Sequence, residues 1–173
     1  NDFFDKIRAP YDVAVFDANP SFSIYTQIAL AASNKVVLPV MADDSSRRAI
    51  LNAFSLIYGL RLPSEIYAKY AFAEKLREAG RPLPKVHVIL RNRLTQYMGP
   101  ASAYRTVLDA ISQDVAAVLM SNPDLFTFSN IADGVEDVRD FQTTGVVAHA
   151  RGCPFYSLRS GRLDLLGRRV DIK

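Results

Sequence analysis

One aspartate occupies a position where the chemistry of a binding site is expected. Asp17 ends the continuous apolar run Tyr11–Asp17, and a turn and a helical pattern follow it. Such a run predicts a strand buried on both faces, as in a parallel sheet, and α/β folds bind ligands beyond the carboxyl ends of their strands. Asp17 is therefore the first candidate for a ligand-binding residue. The alternative is a turn former or helix cap, but Ser21 and Ser23 are also available as caps.

A second acidic site follows the next apolar run, Lys35–Val40. Asp43 and Asp44 then lie at the same sheet edge as Asp17, because both groups follow parallel strands. Adjacent carboxylates there could contact a metal or a basic group. The favoured interpretation is simpler: Asp44 or Ser45 caps the next helix, whose N-terminal dipole suits the charge.

The elements that must position these residues alternate between strand and helix. The expected fold class is therefore α/β, with three layers and a mostly parallel sheet carrying helices on both faces. The opening segment predicts one right-handed βαβ unit. Strands are predicted at Tyr11–Asp17, Lys35–Val40, Val86–Leu90 and Leu125–Phe128, with a hairpin around Gly167. Helices are predicted at Phe22–Ser33, Ser64–Ala79, Pro100–Met120 and Val138–Ala150, and a further helix follows the cap at Asp44 or Ser45 and runs to about Tyr58.

The segment YDVAVFDANPSFSIYTQIALAASNKVVLPVMADDSS resembles the middle of a ParA-type partition ATPase, a family related to MinD. The matching residues are the D-x-x-P-S of Asp17, Pro20 and Ser21 and the V-P-V-like segment Val36–Val40. The resemblance implies a P-loop NTPase-like fold that binds ATP and Mg²⁺. It implies that Asp17 positions the nucleotide-bound magnesium, usually through water rather than as a direct ligand. It also implies that Asn92, which follows the third predicted strand, hydrogen-bonds the adenine base; Asn is also a common turn residue.

One departure from the family concerns the phosphates. The family carries a Gly-rich Lys-Gly-Gly-x-Gly-Lys-[Ser/Thr] loop upstream, whose backbone N–H groups and lysine bind phosphate. Nothing in this sequence matches it, so the chain alone should be inactive as an ATPase. The expectation is a single α/β domain over residues 1–173, forming the C-terminal part of a larger ATPase domain. In the family, the strand with this loop lies between the strand ending at Asp17 and the strand ending at Val40, so those two strands should not pair.

Composition excludes several classes of protein. Residues are 49% hydrophobic and 23% charged, as in a soluble globular protein, and no apolar run reaches the roughly eighteen residues of a membrane helix. The N-terminus lacks the pattern of a signal peptide. A single cysteine, Cys153, excludes an internal disulfide and fits a reducing cytoplasm, so a cytoplasmic location is predicted.

Charge is concentrated at the C-terminus. Between Arg151 and Lys173 there are six basic residues and two acidic ones, which could bind nucleic-acid phosphates or form a solvated surface. The candidate DNA contacts are Arg159, Arg162, Arg168, Arg169 and Lys173.

Two functions follow from the sequence. The first is part of a ParA-like ATPase that partitions plasmids or chromosomes or positions another cargo, with ATP-dependent homodimerisation, nonspecific DNA binding, a partition adaptor protein and no membrane as the implied partners. The second is a non-catalytic α/β interaction or scaffold module on the same fold. An unrelated flavodoxin-like domain is disfavoured by the joint occurrence of the D-x-x-P-S and V-P-V segments.

Overall fold

The computed structural model describes residues 6, 11–19, 21–94, 102–165 and 167–172, with the backbone alone at 93, 102, 103, 165, 168, 170 and 172. Among these residues, three strands form one sheet and two more form a hairpin. The strands are β1 (Lys35–Val40), β2 (Lys85–Leu94), β3 (Val135–Arg139), β4 (Gly161–Leu165) and β5 (Arg168–Ile172). The helices are α1 (Ile24–Ala32), α2 (Asp44–Tyr58), α3 (Glu65–Tyr70), α4 (Phe72–Glu78), α5 (Ser102–Ser121), α6 (Ile131–Gly134) and α7 (Gln142–Arg151), with short 3₁₀ helices at Pro123–Leu125 and Phe155–Ser157.

The main sheet has the order β1-β2-β3 and is parallel throughout. Its register shifts after Val36, which pairs with Val86, so that Val37 pairs with Val88. The extra residue in β2 is His87, and a bulge of this kind changes which side chains face one side of the sheet. As a result Val86 and Ile89, three residues apart, are both fully buried in the core.

The core is built from the sheet and the apolar faces of α2, α4 and α5. Phe54 of α2 packs near Phe126, with ring centroids 5.8 Å apart. Arg47 of α2 donates from Nε to Asp114 of α5 at 2.7 Å, which ties the two helices together beside the core. The buried core residues are Val40, Ile50, Phe54, Ile57, Tyr58, Phe72, Leu76, Val86, Ile89, Ile111, Val115, Val118, Leu119 and Phe126. A parallel sheet flanked by helices confirms the predicted α/β fold class.

The predicted strand Tyr11–Asp17 is wrong. Residues 11–19 are not part of a strand, and Val13 and Val15 are 76% and 89% exposed. The physical reason is that a strand needs a hydrogen-bonding neighbour, and the sheet of the described residues ends at β1.

Other boundaries also differ from the predictions. The helix predicted over Ser64–Ala79 is broken into α3 and α4, because Ala71 adopts an extended conformation with ψ 146°. The predicted strand Leu125–Phe128 is reduced to one parallel bridge between Phe126 and Val86. The start of the helix predicted at Val138–Ala150 belongs instead to β3, whose hydrogen bonds to β2 outweigh the helical pattern there.

The hairpin expected around Gly167 is present, with β4 and β5 paired in antiparallel register. Helix α7 ends at Gly152 in the left-handed conformation (φ 58°), which glycine adopts without steric cost. Helix α7 packs against both β5 and the 3₁₀ helix Phe155–Ser157.

Candidate functional site

Asp17 lines an open groove of about 500 Å³ between the N-terminal stretch and α1. Val15 and Phe16 lie beside it on one wall, and Tyr25 and Thr26 of α1 form part of the other. Within the part of the chain that the structure describes, no hydrogen bond or ion pair engages the Asp17 carboxylate. Asp17 is exposed and available to a ligand in the groove.

The turn that follows Asp17 is held by other residues. The backbone N–H of Ser21 donates to Asn19 Oδ1 at 3.0 Å. Thr26 Oγ1 donates to the Ser21 carbonyl at 2.8 Å, and Ser23 caps α1 by accepting from the Thr26 N–H at 3.5 Å. The alternative of Asp17 as the cap of this helix is therefore excluded. Thr26 was missed at the sequence level, where its position in the first turn of α1 is the one signal for this role.

The second acidic pair has structural partners. Asp43, and not the predicted Asp44 or Ser45, caps α2: its Oδ1 accepts from the Ser46 N–H at 2.7 Å. The cap falls one residue earlier because Asp43 is the last residue with extended backbone (ψ 158°). Asp44 pairs with Arg48 one turn further along α2. Across the described residues, no group of three or more His, Cys, Asp or Glu side chains could hold a metal ion.

Asn92 lies within β2 rather than after it, because the strand continues to Leu94. The residue before it, Arg91, pairs in register with Val40, the last residue of β1. Asn92 is therefore at the carboxyl edge of the sheet, level with the loop that leaves β1. The Arg91 guanidinium is engaged by Asp137 of β3.

The basic residues of the C-terminal segment divide by their partners. Arg162 lies 3.4 Å from Asp171 across the hairpin, and Arg169 occupies the register position opposite Asp164. Arg159 is exposed on the segment before β4. Arg168 is described by its backbone alone, and Lys173 lies outside the described residues. The structure thus places a carboxylate opposite two of the five predicted DNA contacts.

The fold defines a class. A parallel sheet flanked by helices is consistent with an α/β P-loop NTPase-like protein, and the model of a family described as an AAA domain matches residues 1–61. The cell division protein PomZ of Myxococcus xanthus (strain DK1622) is 41% identical over 54 residues, which cover 31% of this chain and 17% of PomZ. The comparisons confirm the resemblance to ParA-type ATPases.

No solved structure matches this chain. The part of PomZ that the match covers is well under two thirds of its length. Among the described residues, no helix is both long and apolar enough to cross a membrane.

Proposed function

We propose that this chain is the C-terminal part of a ParA-like ATPase domain that positions a large cargo such as a plasmid or chromosome in the cytoplasm. The observation that carries the proposal is Asp17: it lies in an open groove, without a partner among the described residues, inside the segment that matches the family. In this function Asp17 positions a nucleotide-bound Mg²⁺ through water, and Asn92 contacts the adenine base.

The donor set fits such an indirect role. Mg²⁺ keeps several waters and is bound by one or two carboxylates together with nucleotide phosphates, rather than by an all-protein cage. One exposed carboxylate in a groove, with no acidic cluster around it in the described chain, suits that chemistry. The bound nucleotide would supply the phosphoryl group that is transferred to water, and the phosphate-binding loop would come from sequence upstream of Asn1.

The edge of the sheet supports the same proposal. β1 pairs with β2 on one side, and no described strand pairs with its other side. Val37, on β1, is 50% exposed, and the apolar stretch at residues 11–17 is exposed as well. In the family the phosphate-binding strand lies between the strands that correspond to these two segments, so it would pair with the free edge of β1.

Binding of a fluorescent ATP analogue by a protein extended through the reading frame upstream of Asn1 tests this function. We expect Mg²⁺-dependent binding that Asp17→Asn weakens by about tenfold or more, the size of effect seen for outer-shell metal partners, with no change in affinity without Mg²⁺. Asp12→Asn, an exposed acid in the same stretch, is the matched control. If the extended protein binds no nucleotide, the ATPase function is contradicted and the non-catalytic scaffold module is favoured instead.

We further propose ATP-dependent homodimerisation, a partition adaptor as partner and nonspecific contact of the C-terminal basic segment with duplex DNA. Support for the DNA contact is the excess of basic residues there and the exposure of Arg159 and Arg169. Since Arg162 and Arg169 face carboxylates across the hairpin, the contact should be weak and strongly dependent on salt.

The test of the DNA contact is retention of mixed-sequence duplex DNA at low salt. Arg168→Glu with Arg169→Glu should weaken binding and flatten the salt dependence by roughly 0.9 in the log–log slope for each phosphate that is no longer neutralised. Lys69→Glu with Lys75→Glu makes the same change in net charge on another surface and is the control. Equal retention of both double variants would remove DNA from the proposed partners.

A further inference from the structure

Two solvent-exposed aromatic rings stack on each other beside the N-terminus of α7. Phe141 and Phe155 have ring centroids 4.1 Å apart and planes 23° from parallel. They are nevertheless 49% and 44% exposed. A pair that served only to close the core would be covered by other side chains, whereas this pair presents ring surface to solvent.

A third aromatic side chain is still more exposed. Tyr156 follows Phe155 in the 3₁₀ helix and is 91% exposed. Its hydroxyl has no hydrogen-bond partner among the residues that the structure describes. Burial therefore does not explain an aromatic residue at this position.

Hydrogen bonds support the backbone that carries these rings. The Cys153 N–H donates to the Ala148 carbonyl at 3.1 Å, and the Leu158 N–H donates to the Phe155 carbonyl at 3.0 Å. Ser157 Oγ donates to the Pro154 carbonyl at 2.8 Å. A surface fixed before binding loses less conformational freedom when a ligand arrives.

The excess positive charge of the chain lies in the sequence segment that contains these rings. Residues 141–173 contain six basic and two acidic side chains, whereas residues 1–140 contain fifteen basic and sixteen acidic ones. Arg151 and Arg159 flank the 3₁₀ helix in sequence, and both are exposed. The net charge of +4 in this segment favours an anionic ligand.

We propose that Phe141, Phe155 and Tyr156, together with the flanking arginines, form a base-stacking surface that binds single-stranded nucleic acid. Exposed rings beside positive charge are the combination that single-strand binders use, with bases stacked on aromatic side chains and phosphates near basic ones. Duplex DNA cannot use the rings, because its bases are already stacked on each other. The surface thus has a ligand class different from the duplex contact proposed above, although both depend on the basic segment.

Fluorescence anisotropy with a labelled oligothymidylate and a labelled duplex of equal length at low salt tests the proposal. Tyr156→Ala should weaken oligothymidylate binding by about fivefold or more, the effect of losing one stacked base, and leave duplex binding unchanged. Tyr156→Phe keeps the ring and should bind as the parent does. Because Tyr156 is almost fully exposed, neither variant should alter folding.

Tyr67→Ala is the matched control, since Tyr67 is a 63% exposed tyrosine on α3, outside the basic segment. The proposal is overturned if Tyr156→Ala and Tyr67→Ala bind oligothymidylate equally, or if the parent chain binds none. It is also overturned if Tyr156→Ala instead reduces self-association, which would make the surface a contact between copies. If the Arg168/Arg169 double variant loses duplex binding but still binds oligothymidylate, the result concerns the duplex contact and leaves the stacking surface intact.

Discussion

The chain contains the same sequence pattern twice in succession, and the two copies differ in structure. Residues 11–32 and residues 35–58 each consist of an apolar run, an acidic residue and an amphipathic helix. In the second copy the run is β1, Asp43 caps α2, and four residues of that helix are buried. In the first copy the run is outside the described strands, Ser23 rather than Asp17 is the cap, and α1 has no buried residue. The pattern encodes the capacity for burial, while the neighbouring strand decides whether burial occurs.

Helix α1 shows what a strand neighbour changes. It contacts the core through the partly buried Leu30 and Ala31. Phe22, just before the helix, packs edge-on against Phe72, with ring centroids 5.8 Å apart. Tyr25 and Ile28, which the helical pattern places inside, are 80% and 58% exposed. Contiguous exposed apolar surface of this kind marks an interaction site, and here it adjoins the groove of Asp17.

The largest expected difference between the copies is in the helices. Phe54→Ala in α2 should lower the free energy of unfolding by about 3–5 kcal/mol, because the 2% exposed ring leaves a cavity in the core. Tyr25→Ala in α1 should change it by less than about 0.5 kcal/mol, since the ring is already in water. Urea denaturation of both variants measures the difference. A comparable loss in Tyr25→Ala would show that α1 is buried in solution and break the comparison.

A smaller difference is expected between the two acidic residues. Asp43→Ala removes the 2.7 Å bond to the Ser46 N–H and should destabilise the chain by about 1 kcal/mol. Asp17→Ala should leave stability unchanged, because no described group bonds to its carboxylate. Thermal unfolding resolves the two. Destabilisation by Asp17→Ala would mean that this carboxylate serves the fold rather than a ligand.

Whether an element could be predicted from the sequence depends on whether its partners lie in the described part of the chain. Three elements lie close to their predicted bounds, because their apolar residues meet partners within the described chain. They are β1, the end of α2 at Gly59 and the long helix α5. The strand predicted at residues 11–17 has the same local signal but no strand partner among the described residues, which no pattern within the run reveals. The cap at Asp43 depends on the backbone conformation of one residue, and the adjacent polar residues are equally good candidates by sequence. The continuation of β2 past Asn92 depends on pairing with β3, which the local sequence does not indicate.

The groove itself could be predicted only in part. Asp17 is identifiable from its position after an apolar run, and the structure places it in the groove. Tyr25 and Thr26 line the opposite wall, but they are not identifiable from the sequence, because the helical pattern assigns Tyr25 to the core. When no other element packs against a helix face, the side chains that a complete fold would bury stay exposed and can contact a ligand.

An expected effect of about the same size as that of the Asp43 cap concerns the other end of α2, where Tyr58 anchors the helix through a buried hydroxyl. The Tyr58 hydroxyl donates to the Pro84 carbonyl at 2.8 Å, and burial raises the pKa of the phenol above its ordinary value of 10.0. The neutral phenol is therefore favoured in the folded state. Its contribution to stability is complete below pH 10 and is lost as the pH rises from there toward the folded pKa, by at most about 1.4 kcal/mol per pH unit.

Tyr58→Phe should consequently be less stable than the parent chain by about 1 kcal/mol at pH 7, from the lost hydrogen bond, and the difference should shrink above pH 10. Urea midpoints of both proteins between pH 7 and pH 11 test this, with the other tyrosines cancelling in the difference. Tyr25→Phe in α1, where the ring is 80% exposed, is the control and should be as stable as the parent chain at pH 7. If the Tyr58→Phe gap stayed constant through pH 11, the phenol would titrate alike in both states, and the anchoring of α2 by a buried neutral hydroxyl would be wrong.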